Sequence, residues 1–279
     1  MELDGFDLVA EGLDHPEGVA WGPDGRLIAG GEAGQIYAVD PGTGAVTEIA
    51  STDGFLFGVT LDAEAAVYGC DFGRAELVRV SPAGTVTSVS RGTVADPMRV
   101  PNFAAFGDDA TLYVTDSGTW GADDGVLFKV QPDGATEVWS RDVPAFPNGC
   151  CITAEGDALL VVESRGRRVV RVPIETSGAA GPVTVVADLT GSQPDGIALA
   201  TDGTMFVGCY RPDRIWRIPP GGEPEIWVED PDGVVLNQPA NVAFFGPDLD
   251  RLVVSSLGGW NLMAADPGVV GLPLRMPKT

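Results

Sequence analysis

Four side chains able to bind a hard cation recur at one register of an internal repeat: Glu17, Asn102, Asn148 and Asp195. They sit in related segments: His15-Pro16-Glu17-Gly18-Val19-Ala20, Pro101-Asn102-Phe103-Ala104, Pro147-Asn148-Gly149-Cys150 and Pro194-Asp195-Gly196-Ile197-Ala198. Two further copies, Leu56-Phe57-Gly58-Val59 and Pro239-Ala240-Asn241-Val242, complete a set of six. The aligned positions Glu17, Phe57, Asn102, Asn148, Asp195 and Ala240 are spaced 40, 45, 46, 47 and 45 residues apart. Two carboxylates and two carboxamides brought together suit calcium, which takes about six to eight oxygen ligands, Asn carbonyls and waters among them. Without a cation the two carboxylates would repel, and one would hold its proton to higher pH. Asn148-Gly149 and Asp195-Gly196 are also familiar turn dipeptides. Yet each repeat has its own turn further on, as at Asp202-Gly203. The alternative is an incidental polar lining of a channel.

A repeat of this length is the signature of propeller blades or solenoids. Within each copy the opening strand is followed by a turn such as Gly22-Pro23-Asp24-Gly25, then by an apolar run such as Leu159-Leu160-Val161-Val162. A third strand (Ile215-Trp216-Arg217-Ile218) and a more polar fourth (Glu225-Ile226-Trp227-Val228) close the unit. Short runs rich in β-formers and bounded by Gly, Pro and Asp read as strands. Nothing has helical periodicity, so the fold class is all-β: a six-bladed β-propeller with four antiparallel strands per blade, one domain over residues 1–279. The sixth copy lacks a clear outer strand and the N-terminus has a spare one, Phe6–Ala10. The N-terminal strand is therefore expected to close the ring and remove an exposed edge. In such a ring the aligned residues meet at one mouth of the central channel. Residues 118–124 and 230–238 are the expected mouth loops.

Composition narrows the partners. The net charge is −23, from 40 acidic against 17 basic residues, which disfavours nucleic acid and anionic membrane surfaces and leaves a small-molecule substrate. No apolar run reaches the roughly 18 residues of a membrane helix. The acidic start lacks the basic and apolar regions of a signal peptide, so a soluble, cytoplasmic protein is expected. The cysteines Cys70, Cys150, Cys151 and Cys209 form no Cys-x-x-Cys pair and His15 is the only histidine, which argues against zinc and against a Ser-His-Asp triad unless His15 serves.

Pro-Glu-Gly in the first repeat, Pro-Asn-Gly in the fourth, Pro-Asp-Gly-Ile-Ala in the fifth and Gly-Pro-Asp-Leu-Asp-Arg-Leu in the sixth resemble the SMP-30/gluconolactonase/luciferin-regenerating-enzyme family, over essentially the whole chain. The resemblance implies a calcium-dependent propeller, commonly a lactonase. It makes Glu17, Asn148 and Asp195 direct metal ligands and Asn102 a ligand or a substrate contact. The four positions are also similar to the calcium site of diisopropylfluorophosphatase and paraoxonase-type hydrolases. Gluconolactonase-type relatives carry an arginine two residues before the third-repeat Asn; here that residue is Val100, and the nearest arginine is Arg99. This departure, with Phe57, Phe103, Trp120 and Trp260 near the mouth, points to a ligand less polar than a sugar lactone. The expected reaction is hydrolysis of a lactone or related ester. The cation would polarise the carbonyl, and Asp195 would be general base or nucleophile. The alternatives are a metal-dependent phosphotriesterase, a strictosidine-synthase-like condensing enzyme or a binding scaffold.

Overall fold

The computed structural model describes residues 1–279. Its 24 strands form six four-stranded antiparallel sheets arranged as the blades of a propeller, and the one helical element is a 3₁₀ turn, Leu3–Gly5. The innermost strands, in chain order, are Val19–Trp21, Leu56–Leu61, Pro101–Phe106, Pro147–Ile152, Gln193–Leu199 and Pro239–Phe245. In blades one to five each is followed by three strands that meander outward. The sixth blade takes its outer strand, Asp7–Glu11, from the other end of the chain, where it pairs with Asn261–Ala265. The ring thus closes through the N-terminal strand, as the spare run predicts, and Arg251 ties it further by an ion pair to Asp7 at 3.0 Å.

Apolar side chains pack between neighbouring blades rather than at the axis. Phe206 of blade five, for example, meets Phe244 and Val254 of blade six, and Phe128 of blade three packs among Tyr68, Cys70 and Leu77 of blade two. This explains why the second strands are buried along almost their whole length, as in Ala158–Glu163, which is apolar up to its terminal acid: both faces of a blade are covered. The outer strands see solvent, as in Thr184–Asp188, where four of the five residues are exposed. The four cysteines are free thiols, three of them buried, and burial pushes Cys151 up to about 12. No helix is long and apolar enough to cross a membrane.

The mouth end of the inner strands is irregular. Pairing with the second strand slips between Leu56 and Val59, Pro101 and Phe103, Pro147 and Cys150, Pro194 and Ile197, and Pro239 and Asn241. A β-bulge frees its extra residue from the ladder and re-aims its side chain. The bulged residues include Asn102, Asn148 and Asp195.

Residues 266–279 form a strap across the opposite mouth. Thr201 donates to the Val270 carbonyl and Leu272 to that of Leu199, at 2.9 and 2.8 Å. Arg275 bonds the Thr153 carbonyl at 2.8 Å and pairs with Asp108, and Thr279 reaches Asp62 at 2.6 Å.

Candidate metal centre

The segments leading into the inner strands are held by acids at the ends of the second strands. Asp71 accepts the Phe55 N–H at 3.0 Å, Asp116 accepts those of Arg99 and Val100 at 2.6 and 3.2 Å, and Glu163 accepts that of Ala145 at 2.8 Å. All three acids are fully or almost fully buried. Hydroxyls from the preceding blade then fix the bulged backbone. Thr115 Oγ1 donates to the Asn148 carbonyl at 2.8 Å, Ser117 to that of Pro147 at 2.7 Å, and Ser255 to that of Glu17 at 2.6 Å. The bonds to the three carboxylates are charge-assisted, the stronger class. The site is thus set by blade-to-blade contacts, so it exists only when the ring is closed.

One residue below the aligned positions the inner strands crowd together. A Cβ on Gly149 would stand 2.7 Å from the Asp195 carbonyl oxygen, and one on Gly196 would stand 2.3 Å from Asn241 Oδ1. Gly18 and Gly58 share that register, and the Phe103 ring fills the space beside Gly58. Glycine at these positions lets the strands converge into a collar.

Above the collar Glu17, Asn148 and Asp195 come together. Asp195 and Asn148 are buried, while Glu17 keeps part of its surface open to the channel. Burial, with the facing carboxylates of Asp195 and Glu32, pushes Glu17 well above its ordinary range. Burial pushes Asp195 up to about 7, and a hydrogen bond from Asn148 pulls the other way. Neither carboxylate has a basic partner among the ion pairs of the structure; the donors in reach are carboxamides. Asn148 is oriented by donating from Nδ2 to Ser164 Oγ at 3.1 Å. Asn102 is buried at the same register in blade three. Two acids facing each other, one of them buried and neither in an ion pair, are the donor chemistry of a divalent-cation site.

Three residues at this mouth escaped the sequence reading. Asn241 is buried beside Gly196, one residue past the aligned Ala240. Tyr210 is raised to about 12 by burial and by the charges of Asp195 and Glu17, so its phenol stays a donor. Glu32 takes part in a rim cluster in which His15 Nδ1 lies 2.8 Å from Asp14 and 3.0 Å from Glu32. The sequence offered no direct signal for these: the bulge that sets Asn241 one residue past the alignment appears only in the strand pairing.

The remaining expected residues occupy different places. Trp120 stacks edge-on against Phe146, two residues before Asn148, with ring centroids 4.8 Å apart, and is 50% exposed. Trp260 lies over His15 at 4.7 Å and is 49% exposed. Phe57 stacks on Phe72 at 5.3 Å. These three rings form an aromatic rim on the mouth face. The Arg99 guanidinium is engaged by Asp124, donating to its carboxylate and carbonyl at 2.7 and 2.6 Å, and so pins the 118–124 loop. Phe103 turns away from the rim, against Gly58 and the interior.

Comparison with known proteins follows the same lines. A family profile described as SMP-30/Gluconolactonase/LRE-like region matches residues 116–258, and one described as strictosidine synthase-like, N-terminal, matches residues 1–39. A pentonolactonase, XacC of Haloferax volcanii, is 28% identical over 255 residues, covering 87% of this chain and 81% of its own. Among solved structures, the gluconolactonase XC5397 of Xanthomonas campestris superposes with a TM-score of 0.80 at 17% identity, covering 94% of this chain and 89% of that one. The calcium-binding protein regucalcin of Agrobacterium tumefaciens gives 0.80 at 17% identity, covering 99% and 97%.

Proposed function

This chain belongs to the SMP-30/gluconolactonase/LRE-like family, and on that premise we propose that it is a calcium-dependent hydrolase of a lactone or related ester. The observation that carries the reading is the pair of carboxylates, Glu17 and the buried Asp195, that face each other beside the Asn148 carboxamide with neither in an ion pair. Glu17, Asn148 and Asp195 would hold the ion, with Asn102 as a fourth oxygen donor or a substrate contact. When bound, calcium supplies Lewis-acid polarisation of the carbonyl and stabilises the developing oxyanion.

The chain's own groups do the rest. Asp195, ionised at the cation, accepts the proton of the attacking water as general base. The alternative, direct attack by its carboxylate, is separable by a single turnover in ¹⁸O-water: label enters the product acid when Asp195 is the base, and enters Asp195 when it is the nucleophile. Asn102 and Asn148 orient the ester by their carboxamides. Trp120, Trp260 and Phe57 receive the body of the substrate, which favours a lactone carrying an apolar group over a bare polyol lactone.

The test is a panel of sugar lactones, alkyl and aryl lactones and phosphotriesters, run with calcium and with chelator. We expect chelator-sensitive opening of lactones, and loss of about 100- to 10,000-fold in kcat for Asp195→Asn with the melting transition intact. Retained turnover in that variant would remove Asp195 from the mechanism. Phosphotriesters turned over in place of lactones would move the substrate class to P=O.

A further inference from the structure

Below the glycine collar the channel widens into a chamber of about 350 Å³, lined by 24 residues of which 21 are apolar. Its wall follows from the sequence of the inner strands. Small residues, including Ala105, Cys151, Ala198 and Ala243, alternate along it with larger ones such as Trp21 and Phe244, and no side chain fills the space between them. Its floor is the strap, through Leu272, Leu274 and Met276. Pro273 and Leu274 remain exposed, so the floor is also the route to solvent.

The wall carries little polarity. The Arg275 guanidinium is already satisfied by Asp108 and by the carbonyls of Thr153 and Ala154. The Cys151 thiol is held protonated, so it offers no nucleophile. Thr60 is different. It lines the chamber, and its hydroxyl makes none of the structure's hydrogen bonds while remaining accessible from that space. A hydroxyl that opens onto an apolar chamber with no protein partner is free to donate to, or accept from, an occupant.

We propose that this chamber is a second binding site, separate from the candidate metal centre, for a neutral and mainly apolar small molecule bearing one hydrogen-bonding group that pairs with Thr60. An apolar cavity of about 150 Å³ takes benzene, so this one accommodates about 14 non-hydrogen atoms. A charged or polyhydroxylated molecule is disfavoured, because its polar atoms would find a single partner. The collar separates the two compartments, so the occupant enters past the strap and does not pass the carboxylates.

The experiment is titration of the full chain, loaded with calcium, with 1-naphthol, followed by its fluorescence and by the melting temperature of the protein. The expected result is saturable binding that neither chelator nor a lactone competes away. Ala105→Leu and Ala243→Leu fill the chamber and are expected to weaken binding at least about tenfold while lactone turnover persists. Thr60→Val, a near-isosteric change that keeps the fold, is expected to weaken 1-naphthol by about 2- to 10-fold and to leave naphthalene unchanged. The proposal is overturned by absence of saturable binding, by equal binding to both filled variants, by an equal effect of Thr60→Val on the two probes, or by displacement with lactone, which would place the probe at the upper mouth.

Discussion

Replacing Asp195 by Asn should make the metal-free protein more stable and at the same time abolish its response to calcium. In the metal-free fold Asp195 keeps its proton up to about pH 7, against a reference value of 3.8. Between those values the folded state binds a proton that the unfolded state has lost, so stability falls as pH rises. The span of about three units corresponds to about 4 kcal/mol, and Glu17, raised in the same direction, adds to it. Roughly two of those units, about 2.6 kcal/mol, fall between about pH 5 and about pH 8, which for a chain of this size is a loss of about 8 °C in melting temperature over that window in chelator. Asp195→Asn removes the titration and should hold its melting temperature over most of that interval. Calcium acts with the opposite sign. It requires both carboxylates ionised, so its stabilisation grows with pH and at a hundredfold excess over Kd reaches about 2.7 kcal/mol. The assay is thermal melting of wild type and variant at both pH values, with chelator and with calcium. A wild type equally stable at the two pH values in chelator, or a variant that keeps the full calcium shift, would refute the reasoning that two unneutralised acids share the mouth.

Other outcomes follow from single contacts. Gly196→Ala places a methyl 2.3 Å from Asn241 Oδ1 and 2.7 Å from its Cα, and should cost about 1–3 kcal/mol, read by denaturant unfolding. Ser255→Ala removes the bonds that hold the Glu17 carbonyl and the Asn241 N–H, and should lower calcium affinity by about tenfold or more in calorimetry while blade packing persists. Trp120→Ala and Trp260→Ala should raise KM for aryl lactones severalfold with little change in kcat, since both rings are half-exposed and touch neither carboxylate. Arg99→Ala should loosen the 118–124 loop, seen as faster amide exchange there, because Asp124 loses its two guanidinium bonds.

The fold was legible because one pattern is written six times. Each copy repeats the same order of apolar run, turn and alternating strand, and the shortfall of the last copy matches the surplus of the first. The alignment also identified Glu17, Asn148 and Asp195, since residues at one register of a closed ring must approach one another. Other features leave no such trace. Asp71, Asp116 and Glu163 anchor the entering segments through bonds to backbone N–H groups, and in a chain with 40 acids a buried carboxylate looks like a surface one. Asn241 stands one residue out of alignment because the bulge falls between Pro239 and Asn241. The direction of Phe103 depends on the vacant space beside Gly58, a relation between blades. The strap, residues 266–279, has no periodicity to read.

The pairing of Asp7–Glu11 with Asn261–Ala265 has a consequence for biosynthesis. The strand Asp7–Glu11 must wait for its partner: about 250 residues separate them, which at about 5–20 residues per second is a wait of roughly 10–50 s. Throughout that interval Leu8, Val9 and Ala10 belong to no sheet, while five blades can already have formed. The acids at both ends of the segment, Asp7 and Glu11, suit it to that delay, because charged flanks keep a waiting apolar strand from pairing with a stranger.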